Sequence, residues 1–308
     1  MSDLNNWMGD EKYWAALAKL TDIGSGAMLH LRDRFEDMSI AWTAPQSELI
    51  EAGITPNQAR VVVEERKGID PSFELERVEA ANARIITFSS NSYPPLLKEI
   101  PSSPAVLYTR GSFAEQDLRR TIAIVGTRRI SPYGRQITRL LATDLAAAGL
   151  TVVSGLALGV DGVAHRAALD AGGRTIAVFG TGIDISYPSQ HRGLAREITE
   201  SGAVVTEFPP GTELAPENFP KRNRIISRLS MATLVTEAPL KSGALITASL
   251  VNHQGRDVLA VPGGVFFVLS AGCNGLIRDG AVMARNSEDV LESINFAARA
   301  IQLPRCFR

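Results

Sequence analysis

The sequence predicts an α/β protein: an extended Rossmann-like, doubly wound, mainly parallel sheet with a small all-α domain at the N-terminus. From residue 121 onwards, short apolar runs recur at intervals long enough for crossover helices. Residues 1–68 instead place apolar side chains at helical spacing between glycine turns. With 308 residues, 45% of them hydrophobic, the chain is large and apolar enough to bury a core.

Residues 1–68 are predicted to form the helical domain. Gly24-Ser25-Gly26 is expected to separate two helices, and Gly53 separates two more. Thr55-Pro56 suits an N-cap and a first helical residue. The outline resembles helix-hairpin-helix or sterile-alpha-motif modules, in which a glycine turn presents backbone N–H groups to a phosphate. The sequence favours the simpler alternative, a helical bundle whose glycines only turn the chain.

Residues 69–300 are predicted to form the main domain. A helix near residues 73–83 and strands at 84–88 and 105–108 are expected to add to the main sheet. Six strands should follow, at residues 121–126, 151–155, 175–180, 203–206, 232–236 and 258–261. Because these runs are apolar on both faces, they suit the interior of a parallel sheet with right-handed crossovers.

Small, hydroxyl-bearing or cationic residues follow five of these strands. They lie at residues 126–129, 154–159, 180–182, 241–244 and 262–264. In open α/β sheets, ligands bind beyond the carboxyl ends of the strands, where backbone N–H groups approach an anion closely. Tight βα turns explain any one such loop equally well, but five together favour a phosphate-binding rim.

A basic stretch reinforces this prediction. Lys221, Arg222, Arg224 and Arg228 surround Phe219, and no Asp or Glu lies between Asn218 and Thr236. The formal net charge of the whole chain is only −1, so the positive charge is local. An anionic ligand is therefore expected at this stretch, although an arginine near a sheet edge also braces neighbouring loops in many proteins.

Other ligands and chemistries find less support. The first glycine loop lacks G-x-G-x-x-G, Ser154 stands where a ribose-binding acid is expected, and no G-x-x-x-x-G-K-[ST] occurs. Asp161 and His165 are four residues apart, but a first-turn Asp and a hydrogen-bonded His explain them better than a catalytic pair. Neither a reaction nor a cofactor is predicted.

The composition also indicates in which compartment the protein resides and whether it binds a metal. Cys273 and Cys306 are far apart and belong to no Cys/His cluster, so we expect neither a disulfide framework nor a metal site. The acidic start of the chain does not resemble a signal peptide, and no run of about 20 apolar residues occurs. A cytoplasmic protein without a membrane partner is expected.

Between about residues 85 and 290 the chain resembles the DNA-processing protein A family (DprA, also called Smf). The resemblance implies an extended Rossmann domain that binds single-stranded DNA without strong sequence preference. It also implies a homodimer that loads a RecA-type recombinase in natural transformation or recombination, and no enzymatic activity. The motifs that carry it include Tyr93-Pro-Pro-Leu-Leu97, Val125-Gly-Thr-Arg128, Ser154-Gly-Leu-Ala-Leu-Gly-Val-Asp161, Glu207-Phe-Pro-Pro-Gly211, Phe219-Pro-Lys-Arg-Asn-Arg-Ile-Ile226, Ser242-Gly-Ala-Leu-Ile-Thr-Ala248, Ala260-Val-Pro-Gly263 and Gly272-Cys-Asn-Gly-Leu-Ile277.

The resemblance also implies which residues bind DNA. The cations would follow the phosphate backbone, the aromatic ring would stack on bases, and the remaining residues would orient loops or donate hydrogen bonds. The expected DNA-binding residues are Gly126, Arg128, Gly155, Gly182, Phe219, Lys221, Arg222, Asn223, Arg224, Ser242, Gly243 and Thr247.

Two departures from the family pattern and two rival functions stay open. Residues 265–269 are more apolar than the expected polar loop, which suggests a buried strand or a partner surface. Residues 301–308 are expected to be a tail, without the winged helix of many relatives.

Pro262-Gly-Gly264 suggests a phosphoribohydrolase-like, nucleotide-processing enzyme, but the Gly-Thr and catalytic Glu of that group do not follow it. A scaffold that contacts only protein is the third possibility.

Overall fold

The computed structural model describes residues 9–302 except 21, 36, 100–101 and 253–256. The chain divides into two compact units. The first holds Met1–Arg110, Thr181–Ile185 and Val205–Glu213, and the second holds Gly111–Gly180, Ser186–Val204 and Leu214–Arg308. The domain boundaries expected at residues 68 and 300 stay predictions, and residues 303–308 of the expected tail lie outside the described residues.

The first unit is mainly helical. α5 begins as predicted: the Thr55 hydroxyl accepts the Gln58 N–H at 3.2 Å, the Gln58 side chain accepts the Thr55 N–H at 3.0 Å, and Pro56 follows. The first glycine turn is shorter than expected, because α2 already begins at Ser25 and includes Gly26. The elements are α1 (Glu11–Lys19), α2 (Ser25–Phe35), α3 (Met38–Thr43), α4 (Gln46–Glu51), α5 (Pro56–Glu65), α6 (Pro71–Ala80), β1 (Arg84–Thr87), α7 (Pro95–Lys98) and β2 (Val106–Gly111).

The remaining elements alternate strand and helix, as the spacing of the apolar runs predicts. They are β3 (Thr121–Val125), α8 (Pro132–Ala147), β4 (Thr151–Ser154), α9 (Val160–Asp170), β5 (Thr175–Val178), α10 (Arg192–Glu200), β6 (Gly202–Thr206), α11 (Asn218–Arg228), β7 (Ala232–Val235), α12 (Gly243–Asn252), β8 (Asp257–Ala260), α13 (Ala271–Arg278), β9 (Val282–Met283) and α14 (Ser287–Gln302). None of the helices within the described ranges is long and apolar enough to cross a membrane.

The nine strands follow the order β1-β2-β6-β5-β4-β3-β7-β8-β9 in one sheet. β1 and β2 are antiparallel, whereas the β3–β4, β3–β7, β4–β5, β7–β8 and β8–β9 pairs are parallel. The chain leaves β3 towards β4 on one side and returns to its other side as β7. The mainly parallel, doubly wound fold is thus confirmed, and its topological switch point lies between β3 and its two neighbours.

A dense aliphatic core supports this switch point. Ile122 and Ile124 of β3 and Leu234 of β7 are completely buried with Leu141 and Leu145 of α8. Burying each such side chain contributes about 1.5–3 kcal/mol. α9 and α14 add further aliphatic residues to the same cluster. The loops at the carboxyl ends of β3 and β7 therefore rise from a rigid base.

Residues 265–269 do not form the buried strand that was one of two expectations. β8 ends at Ala260, and both backbone polar groups of Gly263 bond to the Asn274 side chain, which leaves no ladder to continue. Val268–Ser270 forms a single 3-10 turn, and the side chains of Val265 to Val268 are exposed. The buried-strand expectation is wrong.

Candidate functional site

A pocket of about 410 Å³ opens at the switch point, within the second unit. Its walls come from the loop after β3, the start of α9, the first turns of α11, and the segment joining β7 to α12. Because β3 and β7 are neighbours in the sheet, their carboxyl-end loops meet here. The lining residues are Val125, Gly126, Thr127, Arg128, Arg129, Ala157, Asp161, Phe219, Pro220, Arg222, Asn223, Ile226, Pro239, Lys241, Ser242, Gly243, Ala244 and Thr247.

The loop after β3 lies so close to its neighbours that only glycine fits at residue 126. A Cβ on Gly126 would lie 2.5 Å from Cγ2 of Val160 and 2.7 Å from the carbonyl oxygen of Glu237. The next residue, Thr127, donates its N–H to that same carbonyl at 2.7 Å. This close packing fixes the direction in which Arg128 leaves the loop.

Arg128 and Phe219 form the most distinctive pair in the pocket. The Arg128 guanidinium lies 5.1 Å from the centroid of the Phe219 ring, a cation–π distance. Arg128 is exposed, whereas Phe219 is half-buried, with the exposed Tyr187 ring 6.1 Å away. The resulting surface offers a cation and an aromatic face side by side.

Arg222 is buried beneath this pair, with 4% of its surface exposed. Its Nη1 donates to the carbonyl oxygens of Gly155, at 2.6 Å, and of Val178. A Cβ on Gly155 would lie 2.3 Å from Nη1, so the glycine makes room for the guanidinium. Burial lowers the pKa of Arg222 to about 10, opposed by the charge of Asp161, so Arg222 stays cationic at neutral pH. These contacts favour the bracing alternative for Arg222 over a phosphate contact.

Asp161 and His165 do not form a pair. Asp161 accepts the N–H groups of Gly155 and Ala157 at 3.2 Å each, and burial raises the pKa of its carboxyl. His165 is completely buried, and its Nδ1 lies 2.6 Å from the Thr175 hydroxyl. Burial, with smaller effects from nearby cationic groups, lowers the pKa of His165 to about 3, so its imidazole is neutral. Both residues hold loops and strands together, as the simpler interpretation predicts.

The segment between β7 and α12 supplies a second cation. Lys241 is exposed and lines the pocket beside the N-terminus of α12, where the Ser242 hydroxyl accepts the Ala244 N–H at 3.3 Å. A helix N-terminus and an ammonium group both favour an anion. The Lys-Ser-Gly run in the sequence predicted that this loop belongs to the phosphate-binding rim. However, Lys241 was not among the residues expected to bind DNA, and neither were Thr127 and Arg129, which also line the pocket.

Eight of the twelve expected residues line the pocket: Gly126, Arg128, Phe219, Arg222, Asn223, Ser242, Gly243 and Thr247. The other four do not. Gly155 lies behind Arg222, and Gly182 belongs to the first unit, where its N–H donates to the Thr212 carbonyl at 2.9 Å. Lys221 is exposed and Arg224 half-buried on α11, and neither lines the pocket.

The pocket has no visible metal-binding arrangement. Within the residues that the structure describes, no group of three or more His, Cys, Asp or Glu is placed to hold a metal ion. Cys273 is buried, and burial raises the pKa of its thiol to about 12, while Cys306 lies outside the described residues. With Arg128, Lys241 and the Phe219 ring in its lining, the pocket is best suited to bind an anion that also carries flat, stackable groups.

The family model of DNA recombination-mediator protein A matches residues 84–295 of this chain. Protein Smf of Synechocystis sp. is 38% identical over 289 residues, which cover 92% of this chain and 73% of that protein. Protein Smf of Escherichia coli is 38% identical over 296 residues, which cover 94% of this chain and 76% of that protein.

Solved structures agree with these matches. DNA processing protein A from Streptococcus pneumoniae has a TM-score of 0.78 and 31% identity, over 92% of this chain and 96% of that one. DNA processing protein A from Helicobacter pylori, whose structure concerns a single-stranded DNA binding mode, has a TM-score of 0.62 and 29% identity, over 71% of this chain and 98% of that one.

Proposed function

Since this chain belongs to the DNA recombination-mediator protein A family and has a role in DNA processing or recombination, we propose that its pocket binds single-stranded DNA without strong sequence preference. The observation that carries the proposal is the exposed Arg128 guanidinium lying against the Phe219 ring, at the switch point of the sheet. The structure of the Helicobacter pylori relative with a single-stranded DNA binding mode supports it.

Different pocket residues are suited to contact the phosphates and the bases of the strand. Arg128 and Lys241 supply positive charge for the phosphate backbone, and the N-terminus of α12 with Ser242 adds hydrogen-bond donors. Phe219 offers a ring for stacking, which is worth about 1–3 kcal/mol per base and tolerates any base. Arg222 and Gly155 act below, by holding the loops that carry these groups.

We further propose that the protein acts as a homodimer without catalysing a covalent reaction and delivers single-stranded DNA to a RecA-type recombinase. The description of the matching family as a DNA recombination mediator supports the delivery step. The engagement of Asp161 with two backbone N–H groups and the burial of His165 support a binding role rather than acid–base chemistry. Release of free base from nucleoside monophosphates would instead favour a phosphoribohydrolase.

Paired lysine variants test the pocket. Lys241→Ala removes a pocket cation, whereas Lys221→Ala removes another exposed cation that does not line the pocket. We expect Lys241→Ala to weaken oligothymidylate binding about three- to tenfold at low salt, and Lys221→Ala to change it less than twofold. Fluorescence anisotropy titrations measure both, and equal losses in the two variants would contradict the assignment of the pocket.

A further inference from the structure

An exposed apolar loop, Val265-Phe-Phe-Val268, joins β8 to α13. Phe266 is 94% exposed and Phe267 69%, and the two flanking valines are also exposed. Isolated exposed apolar residues are common on protein surfaces, but four in a row that include two phenylalanines are unusual. Contiguous apolar surface of this kind marks a binding surface in many soluble proteins.

The apolar loop is held in a defined conformation. The Asn274 side chain bonds both the N–H and the carbonyl of Gly263, at 3.1 and 3.0 Å. Within the loop, Phe267 donates its N–H to the Gly264 carbonyl at 3.0 Å, and Ser270 donates its N–H to the Phe267 carbonyl at 2.9 Å. A preordered loop loses little conformational freedom when a ligand docks on its rings.

Both ends of the apolar loop are bonded to segments next to the pocket. Upstream of the loop, the Pro262 carbonyl accepts the Tyr133 hydroxyl at 2.7 Å, and Tyr133 lies at the start of α8, just after the Arg128 loop. Downstream, Gly272 donates its N–H to the Ala238 carbonyl at 2.8 Å. A Cβ on Gly272 would lie 2.9 Å from the carbonyl of Pro239, which lines the pocket. The loop is therefore anchored to segments that flank the pocket.

The charge around the apolar loop suits a polyanion. Residues 238–256 and 258–278, which include the segments after β7 and β8, contain no Asp or Glu, and the first of these ranges contributes Lys241 to the pocket. A strand that leaves the pocket would therefore meet no carboxylate from these segments. Two outward phenylalanines beside a cationic pocket match the combination of aromatic platforms and positive charge by which proteins hold single strands.

We propose that the apolar loop is a second contact surface for the same DNA strand, on which bases outside the pocket stack against Phe266 and Phe267. This inference rests on the proposed function of the pocket. The phosphates are held by the pocket cations, and the loop acts on the bases alone. The loop lengthens the bound segment and adds no sequence preference, because every base has a flat face.

The test compares two probes: an oligothymidylate that is several times longer than the pocket, and an oligomer of equal length that has abasic sugars throughout. We expect Phe266→Leu with Phe267→Leu to weaken binding of the oligothymidylate about fivefold or more, and to leave binding of the abasic oligomer unchanged. Phe73→Leu is the matched control, because Phe73 is 55% exposed in the first unit. The single variant Phe266→Leu should show the same direction of change.

Each other outcome has a definite meaning. Unchanged oligothymidylate affinity in the double leucine variant overturns the proposal, and a changed sedimentation coefficient with that result identifies the loop as an interface between copies. Equal weakening of both probes also overturns it, since the loop would then act on the backbone. Arg128→Ala should weaken binding of both probes; if it weakens neither, the pocket assignment fails independently of the leucine result.

Discussion

Arg222 illustrates how a cation at a binding site can serve the fold. Its guanidinium is buried, holds the carbonyls of Gly155 and Val178, and lies 5.7 Å from the Phe219 ring on which DNA bases are proposed to stack. The neighbouring Asp161 charge offsets part of the cost of burial. Arg222 therefore joins the ends of β4 and β5 to α11, and its effect on DNA binding is indirect.

Replacing Arg222 should reduce stability more than it reduces any direct DNA contact. Arg222→Met leaves two buried carbonyls without their donor and Asp161 without its cationic neighbour, so we expect the free energy of unfolding to fall by about 3 kcal/mol. Lys221→Met, at the exposed adjacent position, should change it by less than about 0.5 kcal/mol. Urea unfolding of both variants measures the difference. A fully stable Arg222→Met protein that had lost DNA affinity would instead make Arg222 a phosphate contact.

At the scale of elements, α8 is positioned by a residue that follows β7. Glu237 is buried, and its carboxylate accepts both the N–H, at 2.8 Å, and the hydroxyl of Ser131. The Ser131 hydroxyl in turn caps α8 by accepting the Gly134 N–H at 3.0 Å. A Cβ on Gly134 would lie 2.4 Å from the carboxylate. These contacts tie the loop that carries Arg128 to the β7 side of the pocket.

Replacing the Glu237 carboxylate should loosen this connection. In Glu237→Gln one acceptor oxygen becomes an NH2 donor that faces another donor, so we expect a loss of about 1–2 kcal/mol in the free energy of unfolding. Glu200→Gln, at the exposed end of α10, is the matched control and should be nearly neutral. The denaturant midpoints report the effect, and equal midpoints for the two variants would show that the Ser131 contacts do not hold α8.

At the scale of the whole molecule, sheet topology explains why a chain of net charge −1 presents a cationic pocket. β3 has β4 on one side and β7 on the other, so loops that are more than 100 residues apart in sequence meet at one point. Arg128 and Lys241 come from two such loops, and Phe219 comes from the first turn of α11. The charge is local because the fold assembles it, while acidic residues elsewhere balance the total.

Much of this organisation is predictable from the sequence. Apolar runs locate β3 to β8, since a buried parallel strand must be apolar on both faces. The Thr55-Pro56 pair locates the start of α5, because a capping hydroxyl and a fixed φ both favour that position. Glycines and cations after the strands locate the pocket, because the carboxyl ends of parallel strands share one edge.

The rest depends on packing that no local pattern encodes. Arg222 and Arg224 are two residues apart in one basic run, yet the first is buried against carbonyls beneath the pocket and the second is half-buried. Lys241 is the only cationic residue in the segment between β7 and α12, so no basic run marks it in the sequence. It reaches the site because β7 lies beside β3 in the sheet. For residues 265–268 the sequence left a buried strand and a partner surface both open, because an apolar run alone does not distinguish them, and only the structure shows that these residues are exposed.

The salt dependence of oligothymidylate binding tests the central claim most directly. For single strands, log K falls against log salt concentration with a slope of about −0.7 for each phosphate that a cation neutralises. Removing two pocket cations in Arg128→Ala with Lys241→Ala should therefore make the slope shallower by about 1.4 and weaken binding at low salt. Wild-type slope and affinity in the double variant would contradict the claim that this pocket holds the DNA backbone.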